Sequence, residues 1–233
     1  MSTTMTESTH DETSTPSAGH PGRWCRLARA VVDGLGQRLW GLVVEGDARV
    51  PASGPAIIAA NHISFFDSVA LLMAVRRPIT FVGKSEYMHS WKTRHLLPAM
   101  GMIPVDRTSG FQALDALEVA AGVLRADGIF VIYPEGTRSR DGKLHAGHTG
   151  VGQLAAATGA PVIPTGIIGT DAIQPPGARL PRPFRPLRVR FGRPIDASEY
   201  SGTPRDQRRS ITHDVMAAIG DLTGQIRAGA PAT

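Results

Sequence analysis

Residues 129–139 read Ile-Phe-Val-Ile-Tyr-Pro-Glu-Gly-Thr-Arg-Ser, an apolar run that ends in a polar turn. The run 129–133 contains no charged residue, which is typical of a strand buried on both faces, as in a parallel sheet. Pro134 and Gly136 then break the regular backbone. Because such a strand must be covered on each side, the stretch predicts a sheet with helices on its faces.

Outward from this strand, apolar runs with strand and helix spacing alternate along the chain. Strands are predicted over residues 42–45, 56–60, 80–83, 103–105, 129–133, 162–168 and 187–191. Helices are predicted over residues 68–75, 86–97, 111–125, 151–157 and 205–227, with a proline-rich loop over 172–186. The alternation predicts a single α/β domain, residues 42–233, with a mixed sheet flanked by helices.

The composition is that of a basic globular protein. The chain has 233 residues, 42% of them hydrophobic, a formal net charge of +5 and one cysteine, Cys25. The basic excess favours anionic partners without choosing among them, and one thiol cannot form an internal disulfide. The alternative from another class is a basic nucleic-acid-binding module. Aromatic residues are only 6% and no nucleic-acid-binding motif appears, so a nucleic-acid partner is not expected.

The N-terminal segment divides into two parts. Residues 1–20 are rich in Ser and Thr and predict a disordered tail without the apolar core of a secretory signal. Residues 21–41 combine helically spaced apolar residues with arginines and predict an amphipathic helix on a membrane surface. The alternative is a helix packed on the domain, with its arginines in solvent. No run reaches the roughly 18 apolar residues of a spanning helix.

The first chemical motif, residues 61–67, reads Asn-His-Ile-Ser-Phe-Phe-Asp between a predicted strand and a predicted helix. A histidine at a strand end projects toward the edge where α/β sheets bind ligands. Asp67, one turn later, can hold the His62 ring, as a base that takes a proton from a hydroxyl requires. The alternative is structural, because Ser64 and Asp67 also have the spacing of a helix capping box.

Two further clusters place arginines after predicted strands. Arg107 closes the segment Gly-Met-Ile-Pro-Val-Asp-Arg, residues 101–107, and Arg138 lies in the turn that follows residue 133. A guanidinium can bind a phosphate through two hydrogen bonds. The alternatives are a surface ion pair of Asp106 with a neighbouring residue and an ordinary turn around Gly136.

In this order, the three segments resemble the glycerolipid acyltransferase family, which includes the bacterial 1-acylglycerol-3-phosphate acyltransferases. That family's motifs read Asn-His-x-Ser-x-x-Asp, a Gly-x-Ile segment ending in Asp-Arg, and Pro-Glu-Gly-Thr-Arg-Ser, and residues 162–164 resemble its fourth motif. The resemblance covers residues 43–192 and implies a glycerol-3-phosphate acyltransferase-like fold.

The resemblance also implies a role for each matched residue. His62 would be the general base and Asp67 the residue that orients it. The residues implied in substrate binding are Lys84, Arg107, Glu135, Gly136, Thr137 and Arg138. Two phenylalanines before Asp67 are a departure that would narrow the pocket or pack beneath it.

The implied reaction transfers a fatty-acyl group to 1-acylglycerol 3-phosphate and gives phosphatidic acid. The donor would be acyl-CoA or an acyl carrier protein thioester, and no metal or bound cofactor is implied. His145 and His148 do not predict a metal site, because no third ligand lies near them in the sequence. Glycerol 3-phosphate, a glycolipid or another lysophospholipid remain alternative acceptors. The enzyme would act at the cytoplasmic side of a membrane as a peripheral or monotopic protein.

Overall fold

A computed structural model describes Gly34 and residues 36–84, 101–105 and 113–229. In these residues the strands are β1 Val43–Glu45, β2 Ala56–Ala60, β3 Ile79–Lys84, β4 Met102–Val105, β5 Ile129–Ile132, β6 Val162–Ile168 and β7 Arg188–Phe191. The helices are α1 Phe66–Ala74, α2 Ala113–Arg125, α3 Gly150–Thr158, α4 Thr170–Ile173 and α5 Pro204–Thr223. Two short 3₁₀ turns lie at Asp47–Arg49 and Ala197–Glu199.

The strands form one seven-stranded sheet in the order β1-β7-β6-β2-β5-β3-β4. The five strands from β6 to β4 are mutually parallel. Strand β7 runs antiparallel to β6, and β1 runs parallel to β7. The predicted α/β architecture with a mixed sheet is therefore confirmed.

The central strand β2 shows why this sheet needs helices on both faces. All five of its residues are fully buried. Ile57 and Ala59 belong to the apolar core on one face, whereas Ile58 and Ala60 belong to the core on the other. Side chains alternate along a strand, so an uninterrupted apolar run is stable only where both faces are covered.

The helices divide between the two faces. Helix α1 and Trp40 pack on one side, where the Trp40 and Phe66 rings lie 4.8 Å apart. Helices α2, α3 and α5 cover the opposite face, with Leu124, Leu154 and Ile211 fully or almost fully buried there. The result is three layers, helix, sheet and helix, around a buried central strand.

Helix α5 ends four residues earlier than the predicted 205–227. Gly224 adopts a left-handed conformation with φ 70°, which ends the helix after Thr223. Residues beyond it pair with the loop after β5, because Leu144 N–H donates to Ile226 O and Ala228 N–H donates to Leu144 O. The loop predicted over residues 172–186 begins two residues later in the structure, because α4 extends to Ile173.

Several predictions fall outside the described residues. These are the tail 1–20, most of the helix 21–41 and the helix 86–97. The described part of the N-terminal helix, Gly34 and residues 36–40, is helical. No helix in the described ranges is long and apolar enough to cross a membrane.

Candidate active site

The site lies at the edge where the parallel strands end. His62 follows β2, Tyr133 follows β5, and Thr170 follows β6 after a single glycine. Because β2, β5 and β6 are parallel neighbours, their carboxyl ends meet at one edge. This edge is where α/β sheets bind ligands.

The His62 ring is held by the Asp67 carboxylate. The distance from His62 Nδ1 to Asp67 Oδ2 is 2.8 Å, and Asp67 is fully buried while His62 is 18% exposed. A carboxylate oxygen only accepts, so Nδ1 carries the proton, and in the neutral imidazole Nε2 is then the unprotonated nitrogen. A partly exposed ring in this tautomer can take a proton from a hydroxyl.

Asp67 also holds the backbone around the histidine. Its Oδ2 accepts from the backbone N–H groups of Ile63 at 2.7 Å and Ser64 at 2.9 Å. Its Oδ1 accepts from the Thr170 hydroxyl. The bond from Ser64 N–H has the pattern of one half of the predicted capping box, although α1 begins at Phe66 with Phe65 as its N-cap. The capping and orienting interpretations are thus compatible, because one carboxylate makes both sets of contacts.

Tyr133 covers one face of the His62 ring. The two ring centroids are 3.9 Å apart and the planes differ by 14°, which is a stacked arrangement. The Tyr133 hydroxyl lies 2.8 Å from Ser68 Oγ in α1. Burial, and secondarily the negative charge of Asp67, raises the pKa of Tyr133 well above its usual value. The phenol therefore stays neutral and fixes the plane of the imidazole by packing.

Glu135 joins the first motif to the third. Its Oε1 accepts from His62 N–H at 3.1 Å and its Oε2 from His145 N–H at 3.0 Å. Ser139 N–H also donates to His62 O at 2.7 Å. Glu135 is buried, so its carboxylate fixes the backbone of His62 and holds the loop after β5 against β2.

Asn61 anchors the first motif to β6. Its side-chain amide donates to Ile167 O at 2.9 Å and accepts from Ile167 N–H at 2.8 Å. Asn61 is 1% exposed, so both amide groups are buried and satisfied. The amide extends the β2–β6 ladder by side-chain bonds and sets the point at which the chain turns toward His62.

A surface cavity of about 520 Å³ opens beside Glu135. Its lining includes Thr137, Arg138, Ser139 and Arg140. Neither arginine forms an ion pair with another described residue, and both are exposed. Two guanidinium groups on one cavity wall can bind a phosphate.

Asp141 lines the same cavity but is held by its neighbours. Its Oδ1 lies 2.9 Å from His145 Nε2 and accepts from Ser139 Oγ at 3.0 Å and Lys143 N–H at 3.1 Å. These bonds, that to His145 foremost, lower the pKa of the exposed Asp141 carboxyl to about 2. Asp141 is therefore a charged structural group that shapes the loop at neutral pH.

Gly136 makes the turn possible. It has φ 71°, and its N–H donates to Tyr133 O at 2.9 Å. A Cβ at this position would stand 3.0 Å from the His148 ring. Glycine thus suits both the left-handed backbone and the close approach of His148.

The remaining predicted binding residues are placed only in part. Lys84 is the last residue of β3, which pairs with β5, so its backbone reaches the same sheet edge. Arg107 lies outside the described residues. Glu135, Gly136, Thr137 and Arg138 all lie in the loop next to His62.

Sequence reasoning missed three contributors to this site. Arg140 lies two residues after Arg138, and that repeat was a signal that could have identified it. Tyr133 opens the third segment, but the sequence analysis gave it no role in the site. Thr170 carries no local signal, since it lies 103 positions from Asp67.

The sequence pattern of the acyltransferase family matches residues 41–168, the range that contains His62, Asp67 and the loop after β5. The chain belongs to the acyltransferase family. A 1-acyl-sn-glycerol-3-phosphate acyltransferase of Salmonella typhimurium is 31% identical over 187 residues, 78% of this chain and 73% of that protein. A chloroplastic 1-acyl-sn-glycerol-3-phosphate acyltransferase of Arabidopsis thaliana is 28% identical over 173 residues, 74% of this chain.

A solved structure has the same fold. The crystal structure of the 1-acyl-sn-glycerophosphate (LPA) acyltransferase PlsC from Thermotoga maritima superposes with a TM-score of 0.67 and 25% identity. The match covers 85% of this chain and 80% of that one. The chain spans about half the length of the chloroplastic relatives, 48% of the Arabidopsis thaliana protein and 50% of the Brassica napus protein.

Proposed function

We propose that this chain is an O-acyltransferase that moves a fatty-acyl group from a thioester donor to the hydroxyl of 1-acylglycerol 3-phosphate. The product is phosphatidic acid, a phospholipid precursor. The observation that carries the proposal is the His62 ring held by Asp67 beside a cavity lined by two arginines. The names of the relatives support the choice of acceptor.

In the proposed reaction, His62 is the general base. Its Nε2 takes the proton of the acceptor hydroxyl while the hydroxyl oxygen attacks the thioester carbonyl carbon. The carbon–sulfur bond then breaks, and the thiolate receives the proton from the imidazolium. Asp67, 2.8 Å from Nδ1, stabilises the positive charge that the ring carries between these steps.

The acceptor phosphate binds in the cavity beside Glu135. Arg138 and Arg140 supply the positive charge, and Thr137 and Ser139 line the same wall. Arg107 and Lys84 complete the set implied by the family motifs. Because Glu135 is bonded to His62 N–H and also lines the cavity, its position couples the phosphate site to the base.

The donor is acyl-CoA or an acyl carrier protein thioester, and both act as co-substrates. The enzyme works at the cytoplasmic side of a membrane as a peripheral or monotopic protein, with residues 21–41 as a surface helix. The basic composition, a net charge of +5, supports contact with anionic lipids.

The first experiment measures acyl transfer to three acceptors, 1-acylglycerol 3-phosphate, glycerol 3-phosphate and a monoacylglycerol. Each acceptor is assayed with acyl-CoA and with acylated carrier protein as donor, and the lipid product is detected by mass spectrometry. We expect turnover with the first acceptor and a kcat lower by about 10²- to 10⁴-fold in His62→Ala, the loss typical of a removed general base. Circular dichroism checks that the variant is folded. Undiminished turnover in folded His62→Ala would show that another group takes the proton.

The second experiment tests the phosphate site with Arg138→Ala and Arg140→Ala. Each is expected to raise the acceptor KM about 10- to 100-fold, the loss of a hydrogen bond to a charged group, with a smaller change in the donor KM. Arg125→Ala is the matched control, because Arg125 is exposed at the end of α2. A rise in the donor KM alone would assign the two arginines to the donor's phosphates instead.

A further inference from the structure

The segment that runs from α4 past β7 is strongly basic. Residues 172–195 contain six arginines and no acidic residue or lysine. Residues 174–186, here called the basic loop, carry three of them, Arg179, Arg182 and Arg185. All three are exposed, and none forms an ion pair with a described residue. Such a segment attracts an anionic surface.

The same loop exposes large apolar side chains. Leu180 and Phe184 are each 78% exposed, more than any other large apolar residue in the described ranges. A single exposed apolar residue is ordinary, but two within five residues, interleaved with arginines that form no ion pair with a described residue, are not explained by solvation. Apolar side chains flanked by arginines are characteristic of protein segments that lie in the bilayer interface.

The backbone holds these side chains outward. Arg182 N–H donates to Ile173 O at 2.7 Å, and Trp40 Nε1 donates to Arg182 O at 2.9 Å. Phe184 N–H donates to Leu39 O at 2.6 Å. Phe184 has φ 58°, a conformation that is costly for a bulky residue. These hydrogen bonds hold the backbone of the loop in place, and in this backbone conformation the Phe184 side chain is exposed.

The position of the loop relates it to the site and to the N-terminal helix. The backbone carbonyl of Gln174, the first residue of the loop, accepts a hydrogen bond from Ser64 Oγ at 2.8 Å. Ser64 follows His62 by two positions in the chain. The other end of the loop lies against residues 39–40, the end of the predicted surface helix. A lipid surface in contact with the loop would therefore lie next to the sheet edge that carries His62.

We propose that the basic loop is a membrane contact, in which Leu180 and Phe184 enter the bilayer interface while Arg179, Arg182 and Arg185 bind anionic headgroups. The inference deepens the proposed function and rests on it only in the choice of a lipid partner. It assigns a second contact besides residues 21–41. A lysophospholipid acceptor could then reach His62 without leaving the membrane surface.

The test places a polarity-sensitive fluorophore on the loop. In full-length protein with Cys25→Ser, Phe184→Cys is labelled, and Ile226→Cys is the matched control because Ile226 is 69% exposed elsewhere on the surface. Vesicles of phosphatidylcholine with phosphatidylglycerol should shift the emission of the first label to the blue and leave the second unchanged. Equal shifts at both positions, or none at Phe184→Cys, would overturn the proposal.

Binding and activity complete the test. The double variant Leu180→Ser with Phe184→Ser should lose about tenfold in affinity for anionic vesicles, and Ile226→Ser should lose none. The double variant should turn over a short-chain, monomeric acceptor at the wild-type rate. Wild-type vesicle affinity in the double variant would exclude the loop as a membrane contact.

Absence of turnover in the wild type would contradict the proposed function instead. A shift on adding acidic carrier protein but not vesicles would assign the loop to a protein partner and overturn the proposal.

Discussion

At the scale of single residues, the site depends on side chains that each make several contacts. Asp67 holds the His62 ring, two backbone N–H groups and the Thr170 hydroxyl. Glu135 holds the backbones of His62 and His145. Both carboxylates are buried, where each bond is stronger than in water and each lost partner is costly. The geometry around His62 is therefore preorganised before substrate binds.

The stack of Tyr133 on His62 can be tested by two substitutions. Tyr133→Phe keeps the ring and removes the bond to Ser68, so it should cost about 1 kcal/mol of stability and leave kcat within a few-fold. Tyr133→Leu removes the ring that fixes the imidazole plane, and kcat should fall about 10- to 100-fold. The measurement is steady-state acyl transfer together with urea unfolding of each variant. Equal kcat values in the two variants would contradict a positioning role for the aromatic ring.

At the scale of elements, close helix packing depends on glycine. Gly152 in α3 faces α5, where a Cβ would stand 2.2 Å from Arg208 O and 2.9 Å from Thr212 Oγ1. Only a residue without a side chain lets the two helix backbones approach this closely. Because α3 follows the loop that bears Glu135 and His145, this packing also supports the site from behind.

Alanine substitutions at two helical glycines should have opposite effects. Gly152→Ala forces α3 away from α5 and should lower the free energy of unfolding by about 1–3 kcal/mol. Gly122→Ala in α2 is the matched control, since a Cβ there meets nothing within 4 Å. It should raise the free energy of unfolding by about 0.5–1 kcal/mol through helix propensity. Urea denaturation midpoints measure both, and a neutral Gly152→Ala would mean that the helices can separate without cost.

At the scale of the whole molecule, parallel strand order decides where chemistry can occur. The first motif, the third motif and Thr170 follow β2, β5 and β6, which are neighbours in the sheet although they are far apart in the chain. The antiparallel β7 ends the parallel run on one side, and its leading loop supplies the exposed arginines. The site and the proposed membrane contact therefore meet at one region of the molecule.

We expect the free energy of unfolding to fall at alkaline pH, in part because Tyr200 loses its proton more readily in the unfolded chain. Burial, and then its bond to Asp214 at 2.8 Å, raises the pKa of Tyr200 from 10.0 to about 12. The unfolded chain therefore loses this proton first, so the contribution is present below pH 10 and is lost as the pH rises toward 12. Tyr200→Phe should show a shallower loss in urea unfolding over pH 9–12. Parallel curves for the two proteins would exclude Tyr200 as the source.

The amino-acid sequence by itself determined the α/β class, the order of the motifs and the pair His62 and Asp67, because these depend on local periodicity and spacing. Arg138 and Gly136 were singled out from the polar turn after the apolar strand, whereas the binding role of Glu135 rested on the resemblance to the acyltransferase family. Only the tertiary structure decided which remote groups complete the site. Thr170 meets Asp67 across 103 positions, Asn61 meets Ile167 across 106, and Glu135 meets His62 across 73. These contacts follow from the parallel alignment of β2, β5 and β6, which is set by burial over the whole sheet and leaves no local signal in the sequence.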